Sequence, residues 1–317
     1  MIMQTNHRLA IAVSALSTLL LAASAQAQIV GYGINSAGTL FRFDPAAPAV
    51  VTNIGPTGLS STAIDFRPGT NTLYSLVVGA NTSTLFTVDI NTAVATAVGT
   101  GFPTANIGYD LGGNNRVGFD FNPTTLQGDN SMRIRVISDN SRSNLRLNSS
   151  TGAIAGVDTL LSYVGSPDAP FADGSAYVNN FPNQATIPTT LYTMDGRNDA
   201  LYVQNPPNSG TLNLVGIFGI DANPGIAFDI VSLNPADNTL ADERAFAVLQ
   251  NTATGSGVYL LYDVSLTTGA ISNARQVGGL GGPDFVGGLA LINIPEPTTV
   301  ALVAGAGALL LRRQRRA

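Results

Sequence analysis

The chain contains no cysteine, no tryptophan and no lysine; its one histidine is His7, and its only glutamates are Glu243 and Glu296. Each absence removes a class of chemistry. Without cysteine there are no disulfides, so stability rests on the core and the hydrogen-bond ladders. With no His, Cys or Lys after residue 7, Ser-His-Asp and Cys-His nucleophile activation, lysine Schiff bases and histidine-ligated zinc or copper sites are excluded. What survives is aspartate carboxylate chemistry, hard-cation binding through oxygen, and recognition by arginine, amide and hydroxyl groups.

The two ends have their own character. Residues 1–27 open with a polar stretch carrying Arg8, continue through an apolar core over residues 9–23 and end in a small-x-small site, Ala25, Gln26 and Ala27. That is the order of a secretory signal peptide, with cleavage expected after Ala27. At the other end, "PEPTTVALVAGAGALLLRRQRRA" joins Pro295, Glu296 and Pro297 to an apolar run over residues 298–311 and then to Arg312, Arg313, Arg315 and Arg316. The run is shorter than the roughly 20 residues that span a bilayer comfortably. The arginines behind it form the cytoplasmic flank expected of a membrane-inserted segment. This order of parts resembles the PEP-CTERM sorting tail of Gram-negative bacteria. The resemblance implies transient anchoring in the inner membrane, processing by an exosortase-type enzyme near the Pro-Glu-Pro, and delivery to the envelope, outer surface or extracellular matrix.

The expected organisation is therefore a signal peptide over residues 1–27, a folded domain over 28–293 and a sorting segment over 294–317. Removing Arg8, the four terminal arginines and Glu296 takes the formal charge from −5 to about −9. Such an acidic domain lacks the clustered positive charge that nucleic-acid phosphates require, so no nucleic-acid partner is expected.

Between the ends, short apolar or alternating runs are broken by Gly, Asn, Pro, Asp, Ser and Thr, with no long stretch of helical period, which predicts an all-β chain. A unit recurs in "LFRFDPAAPAVVTNIG", "LFTVDINTAVATAVG", "LRLNSSTGAIAGVD", "LYVQNPPNSGTLNLVG" and "LYDVSLTTGAISNARQVG". The units are anchored at Asp44, Asp89, Asn148, Asn205 and Asp263, 45 to 59 residues apart. That is close to the roughly 40 to 50 residues of a four-stranded propeller blade with longer loops. Further strands are expected at "STAIDF", "RVGFDF", "GSAYV", "GIAFDI" and "VGGLAL", and at "TLYSL", "MRIRVIS", "TLYTM" and "RAFAVL". The last unit lacks its final strand, and "IVGYGIN" at the start of the domain is left over. Adding it to the last blade closes a ring and removes the sheet edges. The expectation is a five-bladed β-propeller closed by its N-terminal strand, with six blades or a sandwich of similar strand count as alternatives.

"GFDFNP", "MRIRVISDNSRSNLRLNSSTGAI", "AYVNN" and "LYVQNPPNSGTLNLVG" resemble the bacterial family known as domain of unknown function 4394. The likeness covers nearly the whole folded domain. It implies a secreted, propeller-like domain and brings no activity with it. The segment "TLQGDNS" after Pro123 is longer than the resemblance leads one to expect.

Four of the ten arginines of the folded domain, Arg133, Arg135, Arg142 and Arg146, fall within fourteen residues, in "RIRVISDNSRSNLR". Arg133 and Arg135 share a strand face. With Asn144 they form a candidate patch for uronic acids or other anionic glycans, because guanidinium forks match carboxylates. The competing and favoured expectation is a solvated strand face paired with Asp129 and Asp139. "QNPPNSG" is the second candidate: two prolines preset the backbone, and Asn205 and Asn208 offer amide donors and acceptors.

Asp65 and Asp120 hold equivalent places before Phe66 and Phe121, which suits a structural hydrogen bond better than a catalytic pair. "DGRND" and "DANPG" are oxygen-rich enough to consider for Ca²⁺, although turn chemistry accounts for them and neither fits an EF-hand loop. The expected function is that of a non-enzymatic binding or structural module associated with exopolysaccharide, with no cofactor. The alternatives are an Asp-dependent carbohydrate-active enzyme and an oxygen-ligated calcium-binding adhesion module.

Overall fold

In the computed structural model, residues 28–60, 63–107, 117–139, 141–181, 188–223, 225–234, 239–254, 258–278 and 285–294 are described. The two terminal segments expected to act as signals, with Ala25, Ala27, Pro295, Glu296, Pro297 and the four tail arginines, lie outside them. Residues 27–294 form one compact unit. No helix among the described residues is long and apolar enough to cross a membrane.

The chain begins with β1 (Gln28–Asn35), β2 (Thr39–Phe43) and β3 (Val51–Pro56), followed by β4 (Ala63–Arg67), β5 (Thr72–Val78), β6 (Thr82–Val88) and β7 (Ala95–Pro103). Next come β8 (Val117–Phe121), β9 (Arg133–Ser138), β10 (Asn144–Asn148), β11 (Ile154–Val157) and a two-residue β12 (Ser162–Tyr163). Then β13 (Ala172–Tyr177), β14 (Leu191–Asp195), β15 (Ala200–Gln204) and β16 (Thr211–Ile217) follow. The chain closes with β17 (Ala227–Ser232), β18 (Glu243–Gln250), β19 (Tyr259–Val264), β20 (Ile271–Gln276) and β21 (Phe285–Ile294).

These strands make five sheets: β4 to β7, β8 to β11, β13 to β16 with β12 parallel on its outer edge, β17 to β20, and β21-β1-β2-β3. They are blades one to five of a propeller. The inner strands β4, β8, β13, β17 and β21 each contact the next around the ring, and β21 returns to β4. The leftover N-terminal strand closes it: β1 pairs antiparallel with β21, from Gln28 opposite Ile294 to Asn35 opposite Phe285, and its other edge pairs with β2. Only a closed ring leaves the innermost blade strands without a free terminal blade.

The recurring turns explain the repeat. Asp44 accepts from the Ala46 N–H, Asp89 from Asn91 and Thr92, and Asn148 from Ser150 and Thr151, each side chain capping the hairpin that follows it. In the fourth-blade unit the cap is Ser265, whose Oγ accepts from Thr268 N–H, and not Asp263. Asp263 instead pairs with Arg275. The glycines at the unit ends have a packing reason. A Cβ on Gly99 (φ +70°) would lie 1.9 Å from the Thr151 carbonyl oxygen in the turn of the next blade, so the main chains of neighbouring blades touch there.

One apolar cluster fills each blade interface. Leu76, Phe119 and Val136 pack between blades one and two; Tyr192, Phe228 and Ala247 between three and four; Phe41, Phe246 and Leu291 between four and five; Tyr32, Phe66 and Leu40 between five and one. The cluster between blades two and three is smaller: Ile137, Leu161, Ala172, Ala200, Tyr202 and Leu212. The rest of that interface is polar, and the candidate site lies there.

Candidate functional site

On β8, β9 and β10, Asp120, Arg135 and Arg146 stand in one cross-strand row, and Gly156 of β11 follows opposite Arg146. A Cβ at Gly156 would meet Arg146 Nη2 at 2.5 Å, so glycine leaves the room that the guanidinium occupies. Asp158, just past β11, takes Arg135 Nη1 at 2.6 Å and the Arg146 fork through Nε and Nη2, both at 2.8 Å. Arg135 is 2% exposed. It also donates to Asn144 Oδ1 and to Asn208 Oδ1 of blade three, each at 2.7 Å. The strand face is thus a desolvated network, and its carboxylate is Asp158 instead of the expected Asp129 and Asp139. Asp129 caps Ser131, and Arg133 acts on it only through its charge, holding the Asp129 carboxyl below its ordinary range together with the Ser131 hydrogen bonds, which dominate.

"QNPPNSG" joins this network from the neighbouring blade. A 3-10 turn at Pro207–Ser209 follows a cis Asn205–Pro206 bond, and Gly210 ends it at φ 66°. The Pro207 carbonyl accepts from Asn144 Nδ2 and from Gln204 Nε2, while the Asn208 carbonyl accepts from Thr159 N–H. Two stretches singled out separately in the sequence therefore meet across the interface between blades two and three.

Between them is a cavity of about 260 Å³, lined by Arg133, Arg135, Arg146, Tyr177, Asn208 and the two prolines, with Asn122 and Thr125 completing it. Thr125 belongs to the unexpectedly long segment after Pro123, and its hydroxyl fixes the Arg133 N–H at 3.0 Å. Arg133 itself makes one weak side-chain bond, to Ser131 Oγ at 3.4 Å. Tyr177 is 1% exposed, and its Oη lies within the influence of the Arg135 guanidinium and the Asn122 side chain. Burial raises the Tyr177 pKa above its ordinary value, with the Arg135 charge opposing, so the hydroxyl stays a protonated donor. Three guanidinium-bearing residues thus line the cavity, with one carboxylate, Asp158, shared between two of them, and an anionic acceptor complements them.

Arg133, Arg135, Arg146 and Asn208 line the cavity, and Asn144 supports it from behind. Arg142 and Asn205 do not line it. Arg142 occupies the turn between β9 and β10 at φ 57°, where its carbonyl accepts from Leu161 N–H; Asn205 N–H donates to the Thr211 carbonyl, and the Asn205 carbonyl accepts from Asn213 Nδ2. Sequence reasoning missed Asp158 and Tyr177. The only signal for Asp158 was its position after the second strand of its unit, the one unit that ends in an acid.

The inner strands hold the second polar group. Asp65 accepts from Phe66 N–H and, across the blade boundary, from Phe121 N–H at 2.8 Å. Asp120 accepts from Tyr177 N–H at 3.1 Å, and Asp229 from Ile230 and Leu291 N–H groups at 2.6 and 2.5 Å. These carboxylates satisfy inner-strand amides that have no strand beyond them. This is the structural reading of Asp65 and Asp120, with Asp229 as a third member. One oxygen from each lies within 4.8 Å of the others, the spacing a single metal ion would need. Burial is the main cause that pushes Asp65 up to about 8 and holds Asp120 and Asp229 well above the ordinary range; mutual repulsion adds to it.

"DGRND" is a turn, and the aspartates of both calcium candidates accept hydrogen bonds within the protein. In "DGRND", Asp195 accepts from the Arg197, Asn198 and Phe171 N–H groups and from Tyr163 Oη. In "DANPG", Asp221 accepts from Thr252 Oγ1, and Gly225 N–H donates to Asp173.

The family described as "Domain of unknown function (DUF4394)" matches residues 39–290. No curated protein matches the chain. Among solved structures, TolB from Acinetobacter baumannii is 13% identical at a TM-score of 0.43, with 80% of this chain and 54% of that chain covered, so the chain spans about half the TolB length. A Nidogen/Laminin complex is 9% identical at a TM-score of 0.42, covering 83% of this chain and 98% of the other. A protein from Lactobacillus plantarum is 13% identical at 0.40, covering 84% and 100%.

Proposed function

Because the chain belongs to the DUF4394 family, whose description carries no activity, we propose from the site alone that it is an exported, non-enzymatic binding propeller. In this reading it is sorted to the cell surface or matrix and takes an acidic group of an exopolysaccharide in the cavity between blades two and three. One observation carries the proposal: Arg133, Arg135 and Arg146 all line a single 260 Å³ space, while the one carboxylate that pairs with them, Asp158, is shared by two of the three, so positive charge is in excess around it. A sugar carboxylate supplies the missing acceptor, and planar guanidinium forks favour it over a neutral hydroxyl.

A hydrolytic role fits less well. Glycosidic hydrolysis requires two carboxylates flanking the bond, and the residues lining the cavity include none among those described. Asp65, Asp120 and Asp229 of the inner strands each accept from main-chain N–H groups.

The experiment is chromatography of the purified protein on alginate and on a neutral glucan, each run with a salt gradient, with reducing ends assayed in the eluate. Retention on alginate alone, lost as salt rises, supports the reading. Equal behaviour on both columns overturns it, and new reducing ends favour the carbohydrate-active enzyme.

A further inference from the structure

The three arginines on the wall of the cavity between blades two and three are not equally open to a ligand. Arg135 is 2% exposed, with Nη1 engaged by Asn144 and Asp158 and Nη2 by Asn208. Arg146 gives Nε and Nη2 to Asp158, which leaves Nη1 of a side chain that is 32% exposed. Arg133 makes one weak bond, to Ser131 Oγ at 3.4 Å, so most of its fork is open. Arg133 shares a face of β9 with Arg135 and is diagonal to Arg146 on β10, a separation that long side chains bridge. One carboxylate can therefore accept from the Arg133 fork and from Arg146 Nη1 together. A second would meet only arginines that Asp158 already holds.

The rest of the wall does not suit a bare anion. Pro206 and Pro207 bring two rings without N–H groups against the space from blade three. Asn208 gives its Oδ1 to Arg135 Nη2, so its amide N–H₂ is the part left to a ligand. An inorganic anion needs donors on every side and gains nothing from an apolar wall. A pyranose matches both parts, with an apolar C–H face and hydroxyl oxygens along its edge. Organic-ligand pockets are built in this way, from apolar surface and a few polar groups that fix orientation. Volume then limits the number of rings. The cavity's 260 Å³ lies below the roughly 300–1,000 Å³ of pockets for drug-sized ligands, so it encloses one sugar ring and leaves that ring's neighbours outside.

Taking this cavity as the acidic-glycan site, we propose that its recognition unit is a single uronic acid ring. The carboxylate accepts from Arg133 and Arg146 Nη1, the C–H face of the ring lies against Pro206 and Pro207, and a ring hydroxyl accepts from Asn208 Nδ2. The domain then reads the monosaccharide and not a run of the polymer. Because the ring touches Arg133 of blade two and the proline turn of blade three, it also ties together the interface with the small apolar cluster.

The test is isothermal titration calorimetry of the full chain at low salt. The probes are the sodium salts of mannuronic, glucuronic and galacturonic acid, sodium acetate, glucose, and the hexamers of the same uronic acids. At least one free uronate should bind at one site per chain, about tenfold or more tighter than acetate or glucose. Its hexamer should gain no more than about sixfold, the counting advantage of six equivalent rings. Arg133→Ala should lose both. Uronates no tighter than acetate overturn the proposal, because the carboxyl alone is then read; uronates no tighter than glucose overturn it because charge is not read. A hexamer that binds where the free uronates fail, or that gains well beyond the counting advantage, also overturns it: the site then spans several rings, and the acidic-glycan reading stands. If Arg133→Ala binds the free uronate as the parent does, the ring sits elsewhere and the proposal falls. Silence of every uronate and every hexamer removes the acidic-glycan reading itself.

Discussion

Arg135 and Arg146 stand directly opposite each other on β9 and β10 and are held by one carboxylate, that of Asp158. Like charges facing across a strand pair repel. Asp158 reconciles them because it takes Arg135 on one oxygen and shares that oxygen and its second with the Arg146 fork. One negative charge against two positive leaves the local balance positive before Arg133 is added. An acidic domain thus keeps a small cationic cavity on its face, and the arginines have different duties: Arg135 holds the blades, Arg133 stays available, and Arg146 does some of each.

Arg133→Ala should separate binding from folding. Arg133 makes a single weak side-chain bond, so its loss should change stability by no more than about 0.5 kcal/mol. Retention on alginate should fall to that of a neutral glucan. In the parent, retention should decline with salt as the Debye length shrinks below about 10 Å above 0.1 M. Chromatography and a melting curve on the same sample check both halves.

Arg135→Ala should behave differently. It removes three buried hydrogen bonds and strands Asp158, Asn144 and Asn208, and breaking a buried ion pair from one side costs about 3–5 kcal/mol. Denaturant titration should show a midpoint lowered accordingly. A near-neutral result would mean that Arg135 is not the tie between blades two and three.

Gly156→Ala should act through Arg146 alone. The added methyl would occupy the place of Nη2, and Arg146 is 32% exposed, so its guanidinium can swing into solvent. The expected outcome is a modest stability loss of about 1 kcal/mol with clearly weakened alginate retention. Retention equal to the parent's would show that Arg146 does not contribute to ligand binding.

Stability should fall as pH rises from about 4 to about 8. Asp65 and Asp173 are pushed up to about 8 in the folded protein from an ordinary 3.8, chiefly by burial, and Asp120 and Asp229 are raised as well. Across that window the folded state holds protons that the unfolded chain has released, so the stabilisation is complete below about 4 and is lost as pH climbs through the folded values. Urea titrations at pH 5, 6, 7 and 8 measure the slope, and Asp65→Asn should flatten it.

The ring and its closure were legible in the sequence because they rest on local signals: turn residues at Asp44, Asp89 and Asn148, alternating runs between them, one strand left over at the start and one missing from the last unit. Asp263 misled because it sits two residues before Ser265, which does the same capping work with a hydroxyl. The arginine cluster was visible as composition, but its burial was not. Arg135 is inside because Asp158 and Asn208 meet it from 23 and 73 positions away along the chain, and such long-range partners leave no periodic trace. Tyr177 was hidden for the same reason, since Arg135 stands 42 positions before it.

The pairing of Gln28 with Ile294 puts both ends of the propeller at the same end of one antiparallel ladder. Force applied between the two ends therefore loads the bonds of β1 and β21 one after another, as a zipper is loaded, instead of shearing the whole ladder at once. Tension of that kind should open the ring at its seam well before it disturbs the interface between blades two and three, whereas tension between one end and a ligand held on the face bypasses the seam's weak direction. The direction of pull, as much as the number of hydrogen bonds, sets how much load such a domain can carry.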